Sequence, residues 1–150
     1  MQPSEVRHRI LRDHEGLRAR LTRVESLARA LTQDEQRQVG DLREASETLL
    51  SILREHMRWE DRYLVPALRE SDAWGEERAE RFEQEHREQR ELLAWVVAEL
   101  QEQQKPPVIL AAHIRDLMET LRADMDEEEE FFLDPDVLRD DVVAIDMTTG

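Results

Sequence analysis

The residues with the most chemical potential in this chain are His56 and Glu60. They lie in a segment where Leu49, Leu53, His56, Glu60, Tyr63 and Ala67 recur at steps of 4, 3, 4, 3 and 4, which is one face of one helix. An imidazole and a carboxylate one turn apart on such a face can ligate one cation together. An unpaired buried carboxylate costs several kcal/mol or shifts its pKa, so the pair demands partners. Three other helical stripes supply residues of the same kind. His14 interrupts Val6, Ile10, Leu17, Leu21, Val24, Ala28 and Leu31. His86 interrupts Phe82, Gln89, Leu93, Val96 and Leu100. Glu128/Glu129 interrupts Leu110, Ile114, Leu117, Leu121, Met125 and Phe132. A single histidine on an apolar stripe is ordinarily a hydrogen-bonded core residue. Three of them on three helices, with glutamates in register, point instead to a shared cation. The acidic run Asp126 to Glu130 adds to this, because negative charge at a helix C-terminus opposes the macrodipole and a nearby cation relieves it.

The elements that must position these residues are four long helices. The first is expected from Ser4, as N-cap, to Leu31. Thr32-x-x-Glu35 reads as a capping box that starts the second, which runs to about Glu70, with a break near Gly40 and a bend or freed carbonyl at Pro66. A turn over Ser71 to Gly75 leads to the third helix, Glu76 to Gln103. Lys105-Pro106-Pro107 separates it from the fourth, which ends near Leu133. Asp134-Pro135 reads as the N-cap and N1 of a short terminal turn. Short connections imply an all-α, antiparallel up-down-up-down four-helix bundle over residues 1–135, with 136–150 as a tail. At a rise of about 1.5 Å per residue, His14, His56, Glu60 and His86 fall about 15–22 Å from the end shared by the first-helix start and the turn after the second helix. Glu129 falls about 6–10 Å from it. His113, ~24 Å along the axis from Glu129, is excluded from the cluster, and His8 is off the stripe.

Composition limits the function classes. The chain has 150 residues, 38% of them charged, and a formal net charge of −15. That disfavours nucleic acid and anionic membrane surfaces as partners and is compatible with cations. There is no cysteine, which removes disulfides, thiolate zinc, iron–sulfur ligation and cysteine nucleophiles. No apolar run approaches a membrane span, and with no targeting segment the cytoplasm is the expected location. Imidazole and carboxylate ligands without sulfur favour iron or manganese over a structural zinc.

The ordered motifs resemble the hemerythrin-like family, whose bundle carries an HHE cation-binding pattern. Asp13-His14-Glu15-Gly16-Leu17-Arg18 is similar to the family's first-helix motif. His56-Met-Arg-Trp-Glu60-Asp-Arg-Tyr-Leu64-Val-Pro66 is similar to its second, including the proline ten residues after the histidine. Glu85-His86-Arg87 is similar to its third. Aligning Pro135 with Pro66 puts Glu129 at the fourth motif's glutamate and Met125 where its histidine belongs. The resemblance covers roughly residues 8–135. It implies metal ligands His14, His56, Glu60, His86 and Glu129, holding two irons through carboxylate bridges, or one if the methionine leaves the second position short of a ligand. A thioether is a poor ligand for hard ferric iron.

The expected function is a non-haem iron protein that binds dioxygen, peroxide or nitric oxide, for oxygen or redox sensing or iron handling. Two alternatives remain open at this point. One is an iron-dependent peroxide-decomposing or oxygenating enzyme. The other is a structural bundle whose metal site has degenerated.

Overall fold

The computed structural model describes residues 1–31, 36–102 and 105–141. Four helices account for nearly all of it: α1 (Pro3–Arg29), α2 (Gln36–Arg69), α3 (Gly75–Glu102) and α4 (Pro107–Phe131). α1 packs on α2 and α4, α2 packs on α3, and the α3–α4 seam is much the sparsest of these contacts. The expected bundle is therefore present.

Its core is split in two. One cluster, rich in leucine, gathers Leu17 and Leu21 of α1, Leu53 and Met57 of α2, Leu93 of α3 and Leu121 and Met125 of α4. The other gathers Val6 and Ile10, Leu64 and Leu68, Phe82, and Phe132, Leu133 and Leu138. Between them, on every helix, lies a buried polar residue: His14, His56 with Glu60, His86 and Glu128. The clusters come in opposite order along neighbouring helices, as antiparallel packing requires.

Local signals explain the boundaries, with some departures. α1 begins two residues earlier than expected because Gln2, not Ser4, is the N-cap and closes a capping box with Glu5. The Ser4 hydroxyl instead donates to Asp140 at 2.6 Å, and its N–H donates to the same carboxylate at 2.9 Å. Gly40 does not break α2, which is continuous from Gln36 through Pro66 to Arg69. The price of Pro66 is one missing N–H donor toward the Arg62 carbonyl. The Thr32–Glu35 capping box lies outside the described residues. At the other junction Pro107 is the first helical residue of α4, where a missing N–H costs nothing. Asp134 caps a terminal turn by accepting from the Asp136 N–H at 2.8 Å. Packing continues past residue 135, since Leu138 is only 2% exposed within the second cluster.

The turn between α2 and α3 is tight. A Cβ on Gly75 would lie 2.4 Å from the Arg69 carbonyl oxygen and 2.5 Å from that of Leu68. Both are backbone atoms that cannot swing aside, so only glycine admits this approach. Ser71 and Asp72 tie the turn down, with the Ser71 hydroxyl donating to Leu68 O at 2.7 Å and Arg78 donating to Asp72 at 2.7 Å. Replacing Gly75→Ala is expected to destabilise the fold by roughly 1–3 kcal/mol, the usual range for overpacking. Urea denaturation should show a lower midpoint at unchanged slope.

Candidate metal centre

The polar layer converges. One ligand atom from each of His14, His56, Glu60 and Glu128 lies within 4.8 Å of all the others, and all four residues are buried. His14 Nε2 is 2.9 Å from Glu128 Oε2, and His56 Nε2 is 3.1 Å from Glu60 Oε1. Close as they are, His14 Nδ1 and Nε2, His56 Nε2, Glu60 Oε2 and Glu128 Oε1 are buried without a hydrogen-bond partner. Buried polar atoms are very rarely left so. Here several are, on four residues of one layer. That is the arrangement expected of a donor set whose lone pairs share a cation, and its chemistry of two imidazoles and two carboxylates suits a non-thiolate metal. His86 adjoins from α3, with Nε2 3.4 Å from Glu60 Oε1.

Carboxylates outside this group orient the rings. His86 Nδ1–H donates to Asp61 Oδ1 at 2.8 Å, and Asp61 is in turn paired with Arg90. His56 Nδ1 faces Asp13 Oδ2 at 3.4 Å, and Asp13 is paired with Arg9 at 3.2 Å. With Nδ1 engaged outward, each ring turns Nε2 inward, which is how carboxylate–histidine pairs fix metal ligands. The sequence held a signal for both aspartates, since each is the chain neighbour of a site residue. The helix-face pattern did not reveal that each serves a histidine on a different helix.

Of the five residues expected from sequence, the structure brings His14, His56, Glu60 and His86 together. Glu129 is not among them. It is held by Arg18, with one contact at 3.1 Å and a second, shorter one, and Arg18 also pairs with Asp126 at 2.8 Å. Its nearest approach to the site is 3.8 Å from His14 Nδ1. The fourth-helix carboxylate in the layer is Glu128. The reason is helical phase: Leu121, Met125, Glu128 and Phe132, stepping 4, 3 and 4, form the buried face. Registering on Pro135 moved the choice one residue, about 100° around the helix. Met125 is 6% exposed and lines a cavity of about 20 Å³ beside His14, His56, Glu60 and Glu128. His113 is far from the layer, its Nδ1–H donating to Glu99 Oε2 at 2.9 Å, a buried carboxylate that Lys105 also pairs. Trp95 and Phe131 are half exposed at the surface.

The ionisation states follow from burial and charge. Burial pulls His14 down to about 4, only partly offset by the carboxylates of Glu60 and Glu129. Burial also opposes charge on His56, but Glu60 and Asp13 outweigh it and raise its pKa. For Glu60, burial pushes upward and the two imidazoles of His56 and His86 overcome it, holding the carboxyl at about 2. Near neutrality Glu60 is therefore an anion and His14 is a neutral imidazole with one ring nitrogen free to donate its lone pair, the states that ligation needs.

The chain matches the family model described as the hemerythrin HHE cation-binding domain over residues 6–134. No curated protein and no solved structure gives a match.

The two histidines predict a stability optimum for the metal-free protein. His14, depressed in the fold, costs stability as pH falls from its unfolded value near 6.5 toward 4, by roughly 3 kcal/mol at most. Glu60 adds a further loss as pH falls below 4.5 toward 2. His56, raised in the fold, contributes fully below 6.5 and loses its contribution as pH rises through its folded pKa. Denaturation of chelator-treated protein across pH should peak near 6.5. His14→Gln should flatten the fall between 6.5 and 4.

Proposed function

Since the chain belongs to the hemerythrin HHE cation-binding family, we propose that it binds one non-haem iron through His14, His56, Glu60 and Glu128, with His86 completing the set. The single observation that carries this reading is that buried His14, His56, Glu60 and Glu128 each bring a ligand atom within 4.8 Å of the others, while polar atoms on all four lack a hydrogen-bond partner. Glu128 takes the role that register with Pro135 assigned to Glu129. Glu60 stands between His56 and His86, so it is the carboxylate able to serve both sides of the layer. Asp13 and Asp61 hold the rings in their tautomers. The apolar clusters on either side keep water from the carboxylates.

A bound iron supplies an open coordination position and redox chemistry toward dioxygen, peroxide or nitric oxide. What supports a small ligand is the size of the cavity. About 20 Å³ is room for one water-sized molecule, and its other walls include Leu17, Leu21, Leu49, Leu53 and Leu121. A diatomic or peroxide suits such a space, whereas an organic substrate for oxygenation does not. The role is thus oxygen or redox sensing, or iron handling. No helix among the described residues is long and apolar enough to cross a membrane, and the cytoplasm is the compartment we propose.

The reading in which a second iron is bound rests on His86 and Glu60. It lacks a further imidazole, because α4 offers Met125 there.

Iron analysis after iron-replete expression should give about one ion per chain, and iron should raise the melting temperature, as any ligand specific to the native state does. Glu128→Ala should cut iron affinity by at least tenfold, in line with loss of a ligand, while Glu129→Ala should leave it within about twofold. Equal losses from both would refute the assignment of Glu128. Met125→His tests the second position, and should raise the iron content above that of the parent chain.

A further inference from the structure

We propose that the cleft between α1 and α2 is a binding site for a small organic anion, a phosphate or carboxylate carried on a flat ring. The cleft opens outward from the metal layer and has Asp13 and His56 of that layer in its inner wall, but its free guanidinium groups, on Arg12, Arg20 and Arg62, take no part in holding the cation. The cleft has a volume of about 570 Å³, within the range of small-molecule sites. Arg9, Arg12 and Arg20 of α1 and Arg58 and Arg62 of α2 line it, against only two carboxylates, Asp13 and Glu55. Those two are already used: Asp13 pairs with Arg9 at 3.2 Å and Glu55 with Arg58 at 3.2 Å. Arg12, Arg20 and Arg62 have no ion-pair partner among the described residues.

Three unpaired guanidinium groups in one recess are unexpected in a chain of net charge −15, where carboxylates are in excess and nearby ones would ordinarily neutralise them. Left free, they offer planar donor forks matched to phosphate and carboxylate oxygens. The spacing is regular. Arg9, Arg12, Gly16 and Arg20 follow one face of α1, and Arg58 and Arg62 one face of α2.

The ring preference comes from Trp59 and Tyr63, which lie in the same wall with centroids 4.7 Å apart. Arg9 stacks over Trp59 at 5.1 Å and Arg62 over Tyr63 at 5.3 Å. A flat ring entering the cleft meets aromatic and guanidinium faces together. The floor is open at Gly16, where a Cβ would meet nothing within 4 Å. The recess is bounded and the rest of the surface is acidic, which favours a small anion over nucleic acid.

Trp59 is the natural reporter. Trp74 and Trp95 are 62% and 50% exposed, so Trp74→Phe with Trp95→Phe leaves Trp59 alone at little structural cost. Phenyl phosphate should change its fluorescence saturably, with a dissociation constant below about 1 mM, and inorganic phosphate should compete. Added sodium chloride should weaken binding. Arg12→Ala with Arg20→Ala should weaken it at least about tenfold, as expected for lost charge-assisted contacts. Gly16→Phe should abolish it by filling the floor, and this variant gains helix propensity. No saturable change with phenyl phosphate, equal binding of phenethylammonium, or a loss below about tenfold in the double arginine variant would overturn the proposal. Measured on metal-free and iron-loaded protein alike, these outcomes leave the metal assignment to its own tests.

Discussion

The structure depends on one constraint: a layer of imidazoles and carboxylates is buried at a single level across all four helices. His14, His56, Glu60, His86 and Glu128 divide an otherwise apolar interior into two clusters. Burying such groups is unfavourable unless each finds a partner. The level at which α1 meets α2, and α2 meets α3, is therefore fixed by polar matching as much as by leucine packing. A slide of one helix by a turn would set a histidine against leucines and strand its carboxylate.

The layer is stabilised from outside inward. Arg9 holds Asp13, which faces His56; Arg90 holds Asp61, which accepts from His86. Each chain of contacts starts at an exposed arginine and ends at a buried ring, so partial solvation of the outer ion pair lowers the cost of the inner one. Arg18 acts differently. By binding Glu129 and Asp126 it removes two of the five consecutive acids of α4 from competition for the centre, and it relieves charge at a helix C-terminus. What remains facing inward is Glu128 alone.

This economy shapes the chemistry. Three helices contribute imidazoles, and the fourth contributes a carboxylate beside a thioether. This is the donor set proposed above to hold one cation. The leucine-walled cavity beside it admits only a very small molecule. The arginine cleft lies on the opposite side of His56 and Asp13, so the same pair of helices presents a cationic recess outward and an anionic, ligand-bearing layer inward.

Much of this was legible in the sequence. The stripes of α1, α2 and α3 placed His14, His56, Glu60 and His86 on inward faces, because a 3.6-residue period is a local property of the chain. The proline signals near α4, the separation of His113 and the bundle architecture were readable for the same reason. The choice between Glu128 and Glu129 was not. Both fall near the apolar stripe and register with Pro135 favoured Glu129; in the structure Glu128 continues the buried face of α4, while Arg18, 111 positions away in sequence, holds Glu129. Ser4 was a plausible N-cap until Asp140 met it from the other end of the chain. Asp13 and Asp61 take their roles from histidines that neighbouring helices bring to them. The sequence by itself determined which face of each helix is buried and which residue types lie on it. Only the tertiary structure decided which charges pair across helices, because such pairing depends on relative height and rotation, which no local pattern encodes.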